Sequence, residues 1–98
     1  MELQTAISQW GDEAFGPVRD PIALVDRARL ELTELADAVS AGEGAEIGGE
    51  IADVVIILYR LADQFGLDLD AEVLRKLEIN RARRWSAAGD GTGRHLAE

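Results

Sequence analysis

The stretch GGEIADVVIILYRLA, residues 48–62, constrains this chain more than any other. From Ile51 to Tyr59 every residue except Asp53 is apolar, and a helix apolar on nearly every side is normally buried. Glu50 and Asp53 nevertheless stand three residues apart where the run begins. Unpaired charges out of water are costly, so a buried helix that keeps two carboxylates implies something positive beside them.

On a wheel of about 100° per residue, Ile47, Ile51, Val54, Leu58, Leu61 and Phe65 form the main apolar stripe. Ala52, Ile56 and Tyr59 cover the far side, which suggests packing against its own chain on one face and another subunit on the other. Glu50 and Asp53 fall on one edge of the stripe, about 60° apart, aimed at a neighbouring helix.

The punctuation predicts an all-α chain, a helical bundle of three long helices plus a short N-terminal helix. Residues 2–10 read as the short helix, interrupted by Gly11 and then by Gly16-Pro17. A second helix starts at Asp20-Pro21, an N-cap followed by proline, and runs to about Ala41 with Leu24, Ala28, Leu32, Leu35 and Val39 as its stripe. The third begins in the Glu43–Gly49 region and ends at Gly66; the fourth starts after Asp68 or Asp70 and extends to about Trp85. From Ser86 onward the chain reads as a glycine-rich tail without helical period. The reading is one domain over 1–98: N-terminal helix and loop at 1–19, site-bearing helices at 20–85 and tail at 86–98.

A chain of 98 residues has a small core, which self-association would supplement. Its net charge of -9 argues against a nucleic-acid backbone or an anionic membrane surface but leaves small ligands and cations open. Without cysteine, thiolate metal sites are impossible. No basic segment followed by an apolar core opens the chain, and no apolar run reaches the roughly 20 residues of a bilayer span, so a cytoplasmic location is expected.

The second helix repeats the acidic pattern in ARLELTELADA, where Glu31 and Glu34 flank the stripe. Antiparallel neighbours would bring both pairs face to face, and four carboxylates in one seam suit hard divalent cations, Mg2+ first and Mn2+ as an alternative. Read as ordinary solvated acids, Glu31 and Glu34 have Arg27 as a partner, but no Lys or Arg lies between Glu31 and Asp53 to serve the second pair. Glu34-x-x-Asp37 has the same form as Glu31-x-x-Glu34, but Asp37 lies farther from the stripe. On the fourth helix Lys76, Asn80 and Arg83 fall within about 60° of one another, a face suited to polyphosphate, although a basic helix end alone would also favour the dipole. Arg84 points about 100° away from Arg83.

Glu31-x-x-Glu34, Glu50-x-x-Asp53 and Lys76-x-x-x-Asn80-x-x-Arg83 together resemble the all-α nucleoside triphosphate pyrophosphohydrolase superfamily of MazG-like and dimeric dUTPase-like proteins. The match covers about residues 10–85, and the flanks QWGDEAFGP and RWSAAGDGTGRH are similar to the small phage and bacterial dATP/dGTP diphosphohydrolase branch. The resemblance implies hydrolysis of a (d)NTP to (d)NMP and pyrophosphate, with Glu31, Glu34, Glu50 and Asp53 on Mg2+ and Lys76, Asn80 and Arg83 on the phosphates. A water whose pKa the metal lowers would attack phosphorus, with Glu34 as the candidate base. Trp10, at the end of the short helix, and Phe15, in the loop that follows, are candidates to stack on the nucleobase because that loop could lie at the pocket mouth, and plain packing is an equal reading of both. It also implies a homodimer or homotetramer. His95 reads as a tail residue outside the chemistry. Alternative readings are a non-catalytic helical dimerisation module and a phosphoribosyl-ATP pyrophosphatase. Gly48-Gly49 departs from helical preference by about 1 kcal/mol per residue, so the third helix either starts near Glu50 or needs flexibility there.

Overall fold

The computed structural model describes residues 2–97; Met1 and Glu98, the ends of the expected domain, lie outside the described residues. Four helices follow in order: α1 (Glu2–Phe15), α2 (Ile22–Ala41), α3 (Gly44–Gln64) and α4 (Leu69–Ala82). A short antiparallel hairpin, β1 (Trp85–Ala87) and β2 (Gly93–His95), closes the chain. The architecture is all-α, with α2 packed along α3 and α1 laid across α3.

Local chemistry sets most of the boundaries. Pro17 prevents α1 from continuing, and α2 begins at Ile22 with Pro21 as its N-cap, one residue past the expected cap, while Asp20 accepts from the backbone N–H of Ile22 at 3.0 Å. Asp68 accepts from the N–H of Ala71 at 3.3 Å and starts α4. Gly66, at φ 66°, turns the chain out of α3 in the left-handed region that glycine occupies freely. Gln4 then secures this turn: its side chain donates to the carbonyl of Leu67 at 2.6 Å and accepts from the N–H of Leu69 at 2.9 Å. A buried glutamine on α1 thereby fixes where α4 leaves α3.

Several expected boundaries move. Gly11 does not interrupt α1, which has the same length as α4; it lies within the buried face Gln4, Ile7, Ser8, Gly11. The reason is tertiary, since a Cβ at Gly11 would stand 2.5 Å from Nε of Arg60, and only glycine admits that side chain. The third helix starts at Gly44, so Gly48 and Gly49 sit inside it, and a Cβ at either would meet nothing within 4 Å. The fourth stops at Ala82 instead of Trp85: Arg83 is extended, at φ -89° and ψ 159°.

The expected tail is a hairpin. Trp85 pairs with His95 and Ala87 with Gly93, the ring centroids of Trp85 and His95 being 5.7 Å apart. A side chain at Gly93 would press to 2.6 Å from the carbonyl oxygen of Ser86, so the pairing depends on that glycine. Asp90 closes the turn by accepting from both the N–H and the hydroxyl of Thr92, and these bonds hold its carboxyl below the usual range.

The inward face of α2 runs Leu24, Ala28, Glu31, Leu35, Ala38, while Leu32 and Val39 of the expected stripe are half exposed. Steps of four residues drift off a 3.6-residue helix, and alternating steps of three and four track its face. That correction puts Glu31 at a core position. The corresponding line on α3 is Ile47, Glu50, Val54, Ile57, Leu61, with Ile51, Leu58 and Phe65 turned outward. Each central helix therefore carries one glutamate where packing calls for an apolar residue.

The core is thin. No described side chain is fully buried, α4 buries none of its residues, and the radius of gyration is 15.9 Å. A compact domain of this length has about 13 Å. No helix among the described residues is long and apolar enough to cross a membrane.

Candidate active site

The two misplaced glutamates meet across the α2–α3 seam. Carboxylate oxygens of Glu31, Glu50 and Asp53 lie within 4.8 Å of one another, with Glu31 buried, Glu50 half-buried and Asp53 exposed. Glu50 and Asp53 reach this point from adjacent positions on one side of α3, and Glu31 comes from the inward face of α2.

Glu34, one turn beyond Glu31, stands outside the three-residue set but contacts it. Hydrogen bonding to the Glu31 carboxyl, followed by the Glu31 charge, raises Glu34 above the usual carboxylate range. Desolvation, then the charges of Asp53 and Glu31, raises Glu50 in the same direction, while the bond with Glu34 opposes it. Oε2 of Glu31 and Oε2 of Glu50 are out of solvent with no donor bonded to them. Buried carboxylate oxygens without donors, converging with a third, are hard oxygen ligands of the kind Mg2+ and Mn2+ take, so the residues present fit a divalent ion.

A cleft of about 450 Å³ opens beside the acids. Its polar lining is Arg27, Glu31, Asp53 and Arg60; its apolar lining is Trp10, Phe15, Leu24, Ile56 and Ile57. Phe15 is not in a loop, as expected, but joins Trp10 on the last turns of α1, where their rings meet edge to face at 5.3 Å between centroids. Both are more than half exposed, so they line the cleft without being packed away. Arg27 donates to Oε1 of Glu31 at 2.8 Å, the ordinary ion pair that the i, i+4 spacing allows.

The expected phosphate face is not assembled within the single chain. Lys76 and Asn80 are on α4 and Arg83 is its extended C-cap, and none of the three lines the cleft. Oδ1 of Asn80 is buried without a partner, and its backbone carbonyl accepts from Nε1 of Trp85. Arg60 was overlooked in the sequence, although an arginine seven residues from Asp53 in an apolar run was a visible signal.

A four-helix arrangement with an acidic, metal-competent seam beside an aromatic-walled cleft is a nucleotide-scale site on an all-α scaffold. The MazG-like family model matches residues 29–92, and the chain belongs to the MazG-like family. It is 36% identical over 95 residues to a dATP/dGTP diphosphohydrolase of Cyanophage S-2L, covering 97% of this chain and 86% of that protein. A dATP/dGTP diphosphohydrolase of Salmonella phage PMBT28 is 35% identical over 97 residues, and the chain spans 31% of its length. The solved structure of a Cyanophage S-2L MazG-like pyrophosphohydrolase, bound to dGDP and three catalytic Mn2+ ions per active site, superposes with a TM-score of 0.77 at 33% identity, covering 99% of this chain and 92% of that one.

Proposed function

We propose that the cleft takes a purine deoxynucleoside triphosphate and that the chain hydrolyses it, with a divalent metal, to the monophosphate and pyrophosphate. The chain is a nucleotide pyrophosphohydrolase by family, and its similarity to the dATP/dGTP diphosphohydrolases extends over nearly its whole length. The observation that carries the reading is the continuity of the acidic seam with the cleft: Glu31 and Asp53 belong to both.

On this reading Glu31, Glu34, Glu50 and Asp53 hold the metal, Mg2+ or the Mn2+ of the cyanophage enzyme. When bound, the ion polarises phosphoryl oxygens and makes a water nucleophilic near neutral pH. Glu34, whose carboxyl reaches both Glu31 and Glu50, is the group we assign as general base beside the seam. Arg27, at the cleft wall, is suited to a phosphate once Glu31 turns to a metal. Trp10 and Phe15 offer ring faces and edges to the base. Lys76, Asn80 and Arg83 serve the phosphates only if α4 approaches a cleft from outside the single chain.

A homo-oligomer, dimer or tetramer, supplies that approach. Val73, Leu74 and Leu77 on α4 and Ile51, Val55 and Leu58 on α3 are exposed apolar residues, and the thin core leaves them without cover. We place the protein in the cytoplasm, where its substrates are.

Incubation with a panel of NTPs and dNTPs plus Mg2+ or Mn2+, with product identification, tests the reaction. Pyrophosphate and a nucleoside monophosphate are expected; a nucleoside diphosphate with orthophosphate, or no turnover of any substrate, rejects it.

A further inference from the structure

Arg60 is the buried cation of this fold, 8% exposed, and its placement is specific. It projects from α3 onto the C-terminal end of α1, where Nη2 donates to Oδ1 of Asp12 at 3.0 Å and to the carbonyl oxygen of Gly16 at 2.8 Å. Its guanidinium carbon lies 5.9 Å from the centroid of the Phe15 ring. The side chain passes so close to Gly11 that a Cβ there would lie 2.5 Å from Nε and 2.8 Å from both Cδ and Cζ. A cation at a helix C-terminus also meets the negative end of the dipole, and α1 has no basic residue in its own last turn.

The contacts bracket one segment. Gly11, Asp12, Phe15 and Gly16 all touch or accept from Arg60, and the same segment carries Trp10 and Phe15, the aromatic wall of the cleft. Arg60 itself lines the cleft, on the face of α3 that carries Asp53. One side chain therefore ties the aromatic wall to the helix that bears half of the acids.

We propose that Arg60 is a positioning residue for the nucleobase: it holds the last turn of α1 so that Trp10 and Phe15 stand at a fixed distance from the metal-competent seam. The inference rests on reading the cleft as a nucleotide site. A residue that sets the base wall acts on substrate binding and leaves the acids, and so the chemistry, in place. Arg suits the place because Nη2, at the end of the long side chain, reaches both acceptors while the guanidinium carbon lies over the Phe15 ring; the shorter Lys, a compact point charge, does not reproduce both contacts.

Arg60→Lys and Gly11→Ala test this together. The second variant improves helix propensity but drives a methyl group into the guanidinium, so it displaces Arg60 without removing a buried charge. In both, KM for the preferred dNTP should rise about tenfold or more while kcat stays within about twofold. The Mn2+-induced rise in Tm should be unchanged, and the indole N–H resonance of Trp10, assigned against Trp85→Phe, should shift or broaden. Folded variants with wild-type KM overturn the proposal and leave the pyrophosphohydrolase reading intact. Parallel losses of kcat and of the Mn2+ response also overturn it, because Arg60 would then be serving the metal seam. A wild-type chain that turns over no nucleotide, with the Trp10 resonance still sensitive to Gly11→Ala, rejects the functional reading and with it the nucleobase role, and leaves only the clamp.

Discussion

Nη2 of Arg27 donates to Oε1 of Glu31 at 2.8 Å, and Oε2 of the same carboxylate is buried without a donor. One oxygen is neutralised by an exposed arginine and the other waits on the seam. The Arg27 side chain is 58% exposed but the Glu31 side chain only 8%, so Arg27→Gln strips a buried carboxylate of its donor and should cost the metal-free protein about 1–3 kcal/mol. With Mn2+ present the difference in Tm should shrink, since a cation then takes over the carboxylate. Paired melts with and without Mn2+ measure this; a stability deficit unaffected by metal argues against exchange of partners.

The seam itself predicts an inverse relation between stability and metal response. Glu50→Gln removes one charge from a cluster of like charges, so the metal-free variant should melt at or above the wild-type temperature. Its Tm should no longer rise with Mn2+ and its turnover should disappear. A variant that still hydrolyses dNTPs would show that Glu50 is not a ligand.

The raised pKa values of Glu34 and Glu50 give a pH dependence of definite sign. A carboxyl that holds its proton more tightly when folded makes its ionised form the destabilising one, so the penalty is full above the folded-state pKa and is relieved as pH falls through it toward the ordinary value of 4.5. Relative to the double variant Glu34→Gln/Glu50→Gln, metal-free wild-type protein should therefore gain stability as pH falls from the neutral range toward 4.5. Mn2+ binding should weaken over the same interval, because protons and metal compete for the same oxygens. Melting curves across pH for both proteins decide it; parallel profiles would count against the coupling.

Gln4 predicts a structural loss at the turn between α3 and α4. Gln4→Ala leaves the Leu67 carbonyl and the Leu69 N–H without their side-chain partner at a part-buried turn, a cost of about 2–3 kcal/mol. Urea denaturation should show the loss, and α4 amides should exchange faster. A change under about 0.5 kcal/mol would mean that water replaces both bonds.

Gly48 and Gly49 are helical positions with open space where a Cβ would go. Gly48→Ala and Gly49→Ala should each stabilise the isolated chain by about 1 kcal/mol. If either variant instead loses stability or dissociates in sedimentation, another subunit approaches α3 at those glycines, which would explain residues that nothing in the single chain accounts for.

The sequence by itself determined the helical class, the start of α2 near Asp20-Pro21, the start of α4 at Asp68 and the turn at Gly66, because capping and breaking are decided by a residue and its nearest neighbours. It also displayed the acidic spacings, since residues three apart share a helix face whatever surrounds them. Only the tertiary structure decided that Glu31 and Glu50 occupy core positions facing each other, that Gly11 is a contact for Arg60 and not a break, and that α4 ends at Ala82 with Arg83 as its extended cap. Periodicity fixes angles about one axis. Which angle is inward, and which small residue is small because another side chain passes, depends on atoms tens of residues away.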